Sequence, residues 1–382
     1  MTDNNDKNLR YTNRQWENHL NSKGFNAFIM ERLQGYALSR ANQYEGSPFD
    51  FSHEDDDTNP LKAYYFNWVE NFPQEFFLEI TAHCNLKCPI CPQPTMERVK
   101  GIMTDELYKK IIDEVAEKNP AAFVRLYGIG ESTIDKKLAE KIAYGREKGV
   151  NLGLTTNGQL LLVKDMYKAI VDAGVNNIDI DIDGFSQEVY ERIRVGGKFD
   201  TLKEAVEKLY DYVRGTGSQT RVVLIYHLLD NDEDFPKFLE WCKAGDYEYK
   251  LVKIHQWTGL KEDLPSEYAK SIRKVPCAAL WSAMMIMWNG KITPCFFGGA
   301  EGDEVVGDVN ELSIQEIWQT TLRQKRIEHV RGEFTGICKG CTDFTDCKMP
   351  SFQAATYPEV LRPEGEDSST SEVSGKVAQA KV

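Results

Sequence analysis

The sequence has no long hydrophobic run. Its longest apolar stretch, Ala278 to Trp288, covers 11 residues with a serine inside it, too short to cross a bilayer as a helix. The N-terminal segment MTDNNDKNLRYTN lacks the apolar stretch that a secretory signal needs. Positive charge is in deficit: 46 Lys and Arg face 59 Asp and Glu, a formal net charge of −13 over 382 residues. Such a balance gives no overall attraction for nucleic acid or an anionic membrane surface. We therefore expect a cytoplasmic protein, with no nucleic acid and no membrane among its partners. With 41% hydrophobic and 27% charged residues, the chain can bury a sizeable core, which excludes wholesale disorder.

A disulfide framework is also missing. The nine cysteines are odd in number, and no secretory signal accompanies them. Eight fall in two groups, one at Cys84, Cys88 and Cys91, the other at Cys277, Cys295, Cys338, Cys341 and Cys347. Scattered core thiols would not cluster in this way, so metal ligation is the economical reading. The ninth, Cys242, follows Trp241 on a predicted helix and reads as a buried core thiol.

Between Phe76 and His255 short β-rich runs alternate with helical stretches. The pattern predicts strands at Phe76–Thr81, Ala122–Tyr127, Val150–Thr155, Asn177–Ile182, Thr220–Tyr226 and Tyr247–His255. The first intervening helix starts at a Thr104 cap and carries Leu107, Ile111, Ile112 and Val115 on one face. Six such repeats predict an α/β fold with a parallel sheet and right-handed crossovers. Six strands are too few for a closed eight-stranded barrel, so a partial (β/α)6 TIM-like barrel fits. A C-terminal Cys-rich domain follows, Gly-rich and turn-rich. Functional side chains should gather at the C-terminal ends of the strands. Residues 1–70 read as an N-terminal helical extension and 353–382 as a disordered tail.

The first cysteine group reads C-x3-C-x2-C on a loop leaving the first strand. Three thiolates this close can hold three irons of one [4Fe–4S] cube and leave the fourth iron open. The competing reading is zinc, with His83 bending back as a fourth ligand.

This cysteine triad after strand one resembles the radical S-adenosylmethionine (SAM) superfamily, and further motifs follow in order. Tyr127-Gly128-Ile129-Gly130-Glu131-Ser132 is similar to the family's Gly-Gly-Glu-Pro motif, with Ser132 in the place of Pro. Thr156-Asn157-Gly158 resembles its T-N-G turn. Asp181-Ile182-Asp183-Gly184 and Tyr190 to Gly197 resemble the S-L-D-G and Y-x-x-I-R-G stretch, with Asp181 where Ser is usual. The resemblance implies a core over 71–262 in which Cys84, Cys88 and Cys91 hold a [4Fe–4S] cluster. It further implies SAM contacts from Gly128, Gly130, Glu131, Ser132, Asn157, Asp181, Asp183 and Arg194. The implied chemistry is reductive cleavage of SAM to a 5′-deoxyadenosyl radical that abstracts a substrate hydrogen, with an electron donor such as flavodoxin or ferredoxin.

In the second group, Cys277 and Cys295 frame Gly290 as C-x12-G-x4-C, followed by Cys338-x2-Cys341-x5-Cys347. Over 263–352 this resembles the SPASM or Twitch extension of the same superfamily. The next cysteine of the full pattern is replaced by Ser351, so one auxiliary [4Fe–4S] cluster is expected, on Cys277, Cys295, Cys338 and Cys341. Cys347 is a spare thiol or a substitute ligand, and a structural zinc site stays open for this group. His255 and Trp257 near strand six, and Tyr226 and His227 at the end of strand five, are lining candidates. Residues 1–75 show no hairpin of the kind found in leader-binding domains, which favours a dehydrogenase or epimerase of a small, sugar-like molecule. The alternatives are a peptide- or protein-modifying radical enzyme and, remotely, a zinc-thiolate binding protein.

Overall fold

The structure, a computed structural model, describes residues 72–228, 233–253, 257, 277, 279–302, 304–330, 333–339 and 341. The expected helical extension over 1–70, the tail from 353, His255 and Cys347 lie outside them.

All six predicted strands form, within a few residues of the expected limits: β1 (Glu75–Leu78), β2 (Phe123–Leu126), β3 (Asn151–Thr156), β4 (Asn177–Ile182), β5 (Arg221–Leu228) and β6 (Tyr249–Lys253). Each pairs in parallel with the next. The connecting helices are α1 (Asp105–Lys118), α2 (Leu138–Glu147), α3 (Met166–Asp172), α4 (Gln187–Ile193), α5 (Phe199–Thr216) and α6 (Phe235–Gly245). Thr104 caps α1 as expected, its side chain accepting the Leu107 N–H at 3.2 Å. On α1 Ile111, Ile112 and Val115 are buried and Leu107 packs beside them.

The sheet does not end at β1. After a short helix α7 (Ala279–Ser282), β7 (Ala283–Ile286) joins β1 in parallel, and β8 (Lys291–Thr293) and β9 (Gly307–Asp308) continue antiparallel. The result is one nine-stranded sheet in the order β6-β5-β4-β3-β2-β1-β7-β8-β9. Of Trp281, Met284, Met285, Met287 and Trp288, which the sequence reads as core, the first four are buried and Trp288 is only partly so. The sequence did not mark Ala283–Ile286 as a strand, because a strand buried on both faces shows no polar alternation. Helices α8 (Ile314–Gln319) and α9 (Thr321–Val330) follow.

Alternation along the strands separates two faces. Phe76, Leu78, Val124, Leu126, Leu152, Leu154, Ile178, Ile180, Val222 and Leu224 share one core with the helices. The opposite parity carries Glu75, Phe77 and Glu79 on β1 and its end, Arg125 and Tyr127 on β2, Asp179 and Asp181 on β4, His227 on β5 and Lys250 on β6. Toward its N-terminal end this inner face is cross-tied by charge: Arg125 Nη1 meets Asp179 Oδ2 at 2.5 Å, and Arg125 Nε lies 3.6 Å from Glu75 Oε1. Burial lowers the Lys250 pKa there to about 8 against the pull of Asp179.

Candidate active site

The loop carrying Cys84, Cys88 and Cys91 leaves the C-terminal end of β1, and the motifs that follow β2, β3 and α4 touch it. Glu131 N–H donates to the His83 carbonyl at 2.8 Å. Gly130 lies so close beneath the loop that a Cβ would collide with the Thr81 carbonyl oxygen and stand 2.6 Å from that of His83, which is why glycine is required. From the turn after β3, Asn157 Nδ2 donates to Asn85 Oδ1 at 2.9 Å and reaches to 4.0 Å from Cys84 Sγ. From the segment after α4, the Val195 carbonyl accepts the Lys87 N–H at 2.9 Å. Gln93 Nε2 donates to the Ala82 carbonyl at 3.1 Å on the far side.

The three thiols lie within electrostatic range of one another. Burial raises the Cys84 pKa to about 11 and that of Cys91 to about 12, and raises Cys88 as well. Thiolates at such positions need a strongly cationic partner. Donors are already aimed at two of the sulfurs, Leu86 N–H at 3.4 Å from Cys84 and Gln93 N–H at 3.5 Å from Cys91, and the Arg194 guanidinium lies within electrostatic range of Cys88. An all-sulfur donor set dressed with N–H groups fits an iron–sulfur cluster. Among the described residues no three Cys, His, Asp or Glu side chains converge on one metal ion.

The candidate SAM residues surround the same loop, but their side chains are used unevenly. The buried Glu131 carboxylate accepts from Thr133 N–H (3.1 Å), Thr133 Oγ1 (2.6 Å), Thr156 Oγ1 (2.7 Å) and Asn157 N–H (2.8 Å). It thus brackets the ends of β2 and β3. Ser132 Oγ donates back to the Leu126 carbonyl at 3.2 Å. Asp183, fully buried, meets Arg194 Nε at 2.5 Å and His227 Nδ1 at 2.6 Å, and Arg194 Nη2 lies 3.4 Å from Asp181 Oδ2. Burial opposes ionisation of Asp183, yet Arg194 and His227 hold its carboxyl well below the usual range; at Asp181 burial prevails and the pKa rises.

In the C-terminal group, Cys295 lies within electrostatic range of Cys277, Cys338 and Cys341, which is the expected four-thiol set. Burial pushes the Cys295 thiol far up, and Gly298 N–H reaches its sulfur at 3.4 Å. The Glu304 carboxylate supports the second arm by accepting the Ile337 N–H at 2.7 Å next to Cys338 and pairing with Lys325. Cys242 is buried on α6 as a core thiol.

A chain of aromatic side chains links the two groups. Trp257 Nε1 donates to the Ile90 carbonyl, beside Cys91, at 2.9 Å. Its ring lies 5.6 Å from Phe296, which follows Cys295, and 5.9 Å from Phe297. Tyr127 stacks on Phe296 at 4.6 Å. Sequence reasoning had not marked Phe296 or Phe297. It also passed over Glu79, buried at the end of β1, which pairs with Arg98 and accepts the Ile129 N–H at 3.3 Å. A charged residue inside the apolar run FFLEI was the available signal.

The family model for the radical SAM superfamily matches residues 78–242, and an iron–sulfur cluster-binding domain model, SPASM, matches 277–342. An AdoMet-dependent heme synthase from Methanosarcina barkeri is 32% identical over 328 residues, 72% of this chain and 92% of that protein. The chain belongs to the radical SAM superfamily. This radical SAM protein is also 35% identical over 289 residues to a tungsten-containing aldehyde ferredoxin oxidoreductase cofactor-modifying protein from Pyrococcus furiosus, 63% of this chain and 80% of that one. To the PqqA peptide cyclase of Rhodopseudomonas palustris it is 30% identical over 326 residues, covering 74% and 84%. It is an enzyme with a SAM-binding [4Fe–4S] cluster and an auxiliary cluster. No described helix is long and apolar enough to cross a membrane.

Proposed function

We propose that this radical SAM enzyme modifies a peptide rather than a sugar. The observation that carries this reading is the aromatic wall of Tyr127, Trp257, Phe296 and Phe297 between the two cysteine groups. A polyol would ask this wall for an array of hydrogen-bonding groups, whereas the side chain of a peptide residue packs on aromatic faces. Similarity to a peptide cyclase along most of both chains supports the same choice. The sugar-directed expectation rested on the lack of a hairpin pattern in residues 1–75, which says nothing of the residues between the two cysteine groups.

When bound, the reduced cluster and SAM supply the radical that removes a substrate hydrogen atom. The chain binds, orients and excludes water. Cys84, Cys88 and Cys91 would hold one cluster, and Cys277, Cys295, Cys338 and Cys341 the other. The backbone of Gly128 to Glu131 would serve the SAM amino group and Arg194 its carboxylate, while Asn157 fixes the cysteine loop. Asp181 would serve the ribose. An external donor of the flavodoxin or ferredoxin kind delivers electrons.

The test is hydrogen transfer. Reconstituted enzyme, SAM and dithionite are incubated with a pooled library of deuterated peptides, or with a panel of perdeuterated sugars and aminocyclitols. Deuterium in 5′-deoxyadenosine from the peptides alone supports the proposal; deuterium from the sugars alone sinks it.

A further inference from the structure

At the C-terminal end of the sheet four side chains form one charge cluster: Asp181 on β4, Asp183 just after it, Arg194 following α4, and His227 on β5. Asp183 is the centre, with Arg194 on one oxygen and His227 on the other. Arg194 also faces Asp181 and lies within electrostatic range of the Cys88 sulfur. With His227 neutral the cluster carries one surplus negative charge. With His227 protonated it carries none.

That surplus matters to an incoming anion. A guanidinium shared by two carboxylates is a poor host for a third, and in a site screened from water the repulsion reaches well beyond contact. A proton on His227 draws the Asp183 charge toward the imidazole and removes the net repulsion that an anion meets at Arg194. We propose that His227 is a positioning residue of the SAM site, whose protonation, relayed through Asp183, makes Arg194 available to the SAM carboxylate. This rests on the reading above that Arg194 receives that carboxylate.

The surroundings are consistent with such a relay. The His227 side chain is 20% exposed, so solvent protons reach it, while the Asp183 side chain is sealed at 0%. Burial disfavours the imidazolium, but the charge and hydrogen bond of Asp183, with help from Asp181, raise the His227 pKa above its ordinary 6.5. On the neighbouring strand β6, Val252 is the residue paired with His227. Lys250, which titrates near pH 8, answers to Asp179, Arg125, Glu75 and Arg221, one layer toward the N-terminal end.

The experiment measures SAM binding to the anaerobically reconstituted full chain, without substrate, from about pH 6 to about pH 8.5, on both sides of neutrality. Calorimetry gives the affinity, and the SAM-induced change in the cluster EPR signal gives an independent readout. At the acid end His227→Gln should bind SAM roughly five- to tenfold more weakly than wild type, and the two should converge at the alkaline end. Comparison at each pH cancels the titrations of Lys250 and of the SAM amino group, which both proteins share. In an Asp183→Asn background the His227→Gln effect should vanish, because the relay is gone. A ratio that stays constant with pH, or an effect that persists in that background, overturns the proposal. Arg194→Gln binding SAM as tightly as wild type overturns instead the assignment of Arg194. Iron content is measured for every variant, and His227→Asn replaces His227→Gln should the latter not load.

Discussion

The Glu131 carboxylate accepts the backbone N–H of Asn157 at 2.8 Å, joining the turn after β2 to the turn after β3. The Asn157 side chain then reaches on to Asn85 in the cysteine loop at 2.9 Å. Two sequence motifs that resemble SAM contacts are therefore also struts that set the position of Cys84. Glu131→Gln replaces an acceptor oxygen with a donor facing donors, and a buried donor left without a partner costs about 1–3 kcal/mol. We expect a lower melting temperature and weaker SAM binding with iron content close to wild type, measured by thermal unfolding, calorimetry and iron assay.

Gly130 gives a sharper test of the same region. A methyl group there meets backbone carbonyls of the cysteine loop rather than a side chain that can swing away. Gly130→Ala must therefore push out the loop that carries Cys84. The expected result is loss of about four of about eight irons per chain, with the C-terminal cluster retained. Full iron content in this variant would mean that the loop yields without cost.

The two cysteine groups should load independently, since they come from separate loops. Replacing Cys84, Cys88 and Cys91 together by alanine should lower iron from about eight to about four per chain, and Cys277→Ala with Cys295→Ala should do the same. Cys347→Ser should leave about eight irons in place, because Cys277, Cys295, Cys338 and Cys341 already supply four thiolates. A halved count in Cys347→Ser would make that cysteine a ligand in place of one of the four.

What was legible in the sequence was local. The C-x3-C-x2-C spacing, Gly128 to Glu131 and Thr156 to Gly158 each sit at one strand end, so a few adjacent residues carried each message. The six strands were legible from their alternation with helices. What escaped depends on contacts between distant segments. Trp257 meets Ile90 across 167 positions and His227 meets Asp183 across 44, and no periodicity announces either. Strand β7 was hidden for a different reason, because Ala283–Ile286 is buried throughout and reads as core of any kind. The choice between sugar and peptide was drawn from the absence of a hairpin pattern, while Phe296 and Phe297, which face the question directly, look in sequence like ordinary apolar residues.

The His227–Asp183 pair also predicts how stability changes with pH. The pKa of His227 is raised on folding, so the folded chain binds the proton more tightly than the unfolded chain does. That contribution is fully present below the unfolded value of about 6.5 and is lost as pH rises through the folded value. Wild type should therefore gain stability over His227→Gln on the acid side of neutrality, and the gain should disappear on the alkaline side. Anaerobic thermal unfolding of the two proteins at pH values spanning neutrality measures this difference. The opposite slope, with wild type gaining on the alkaline side, would mean that His227 is held neutral by its burial and that Asp183 is answered by Arg194 alone.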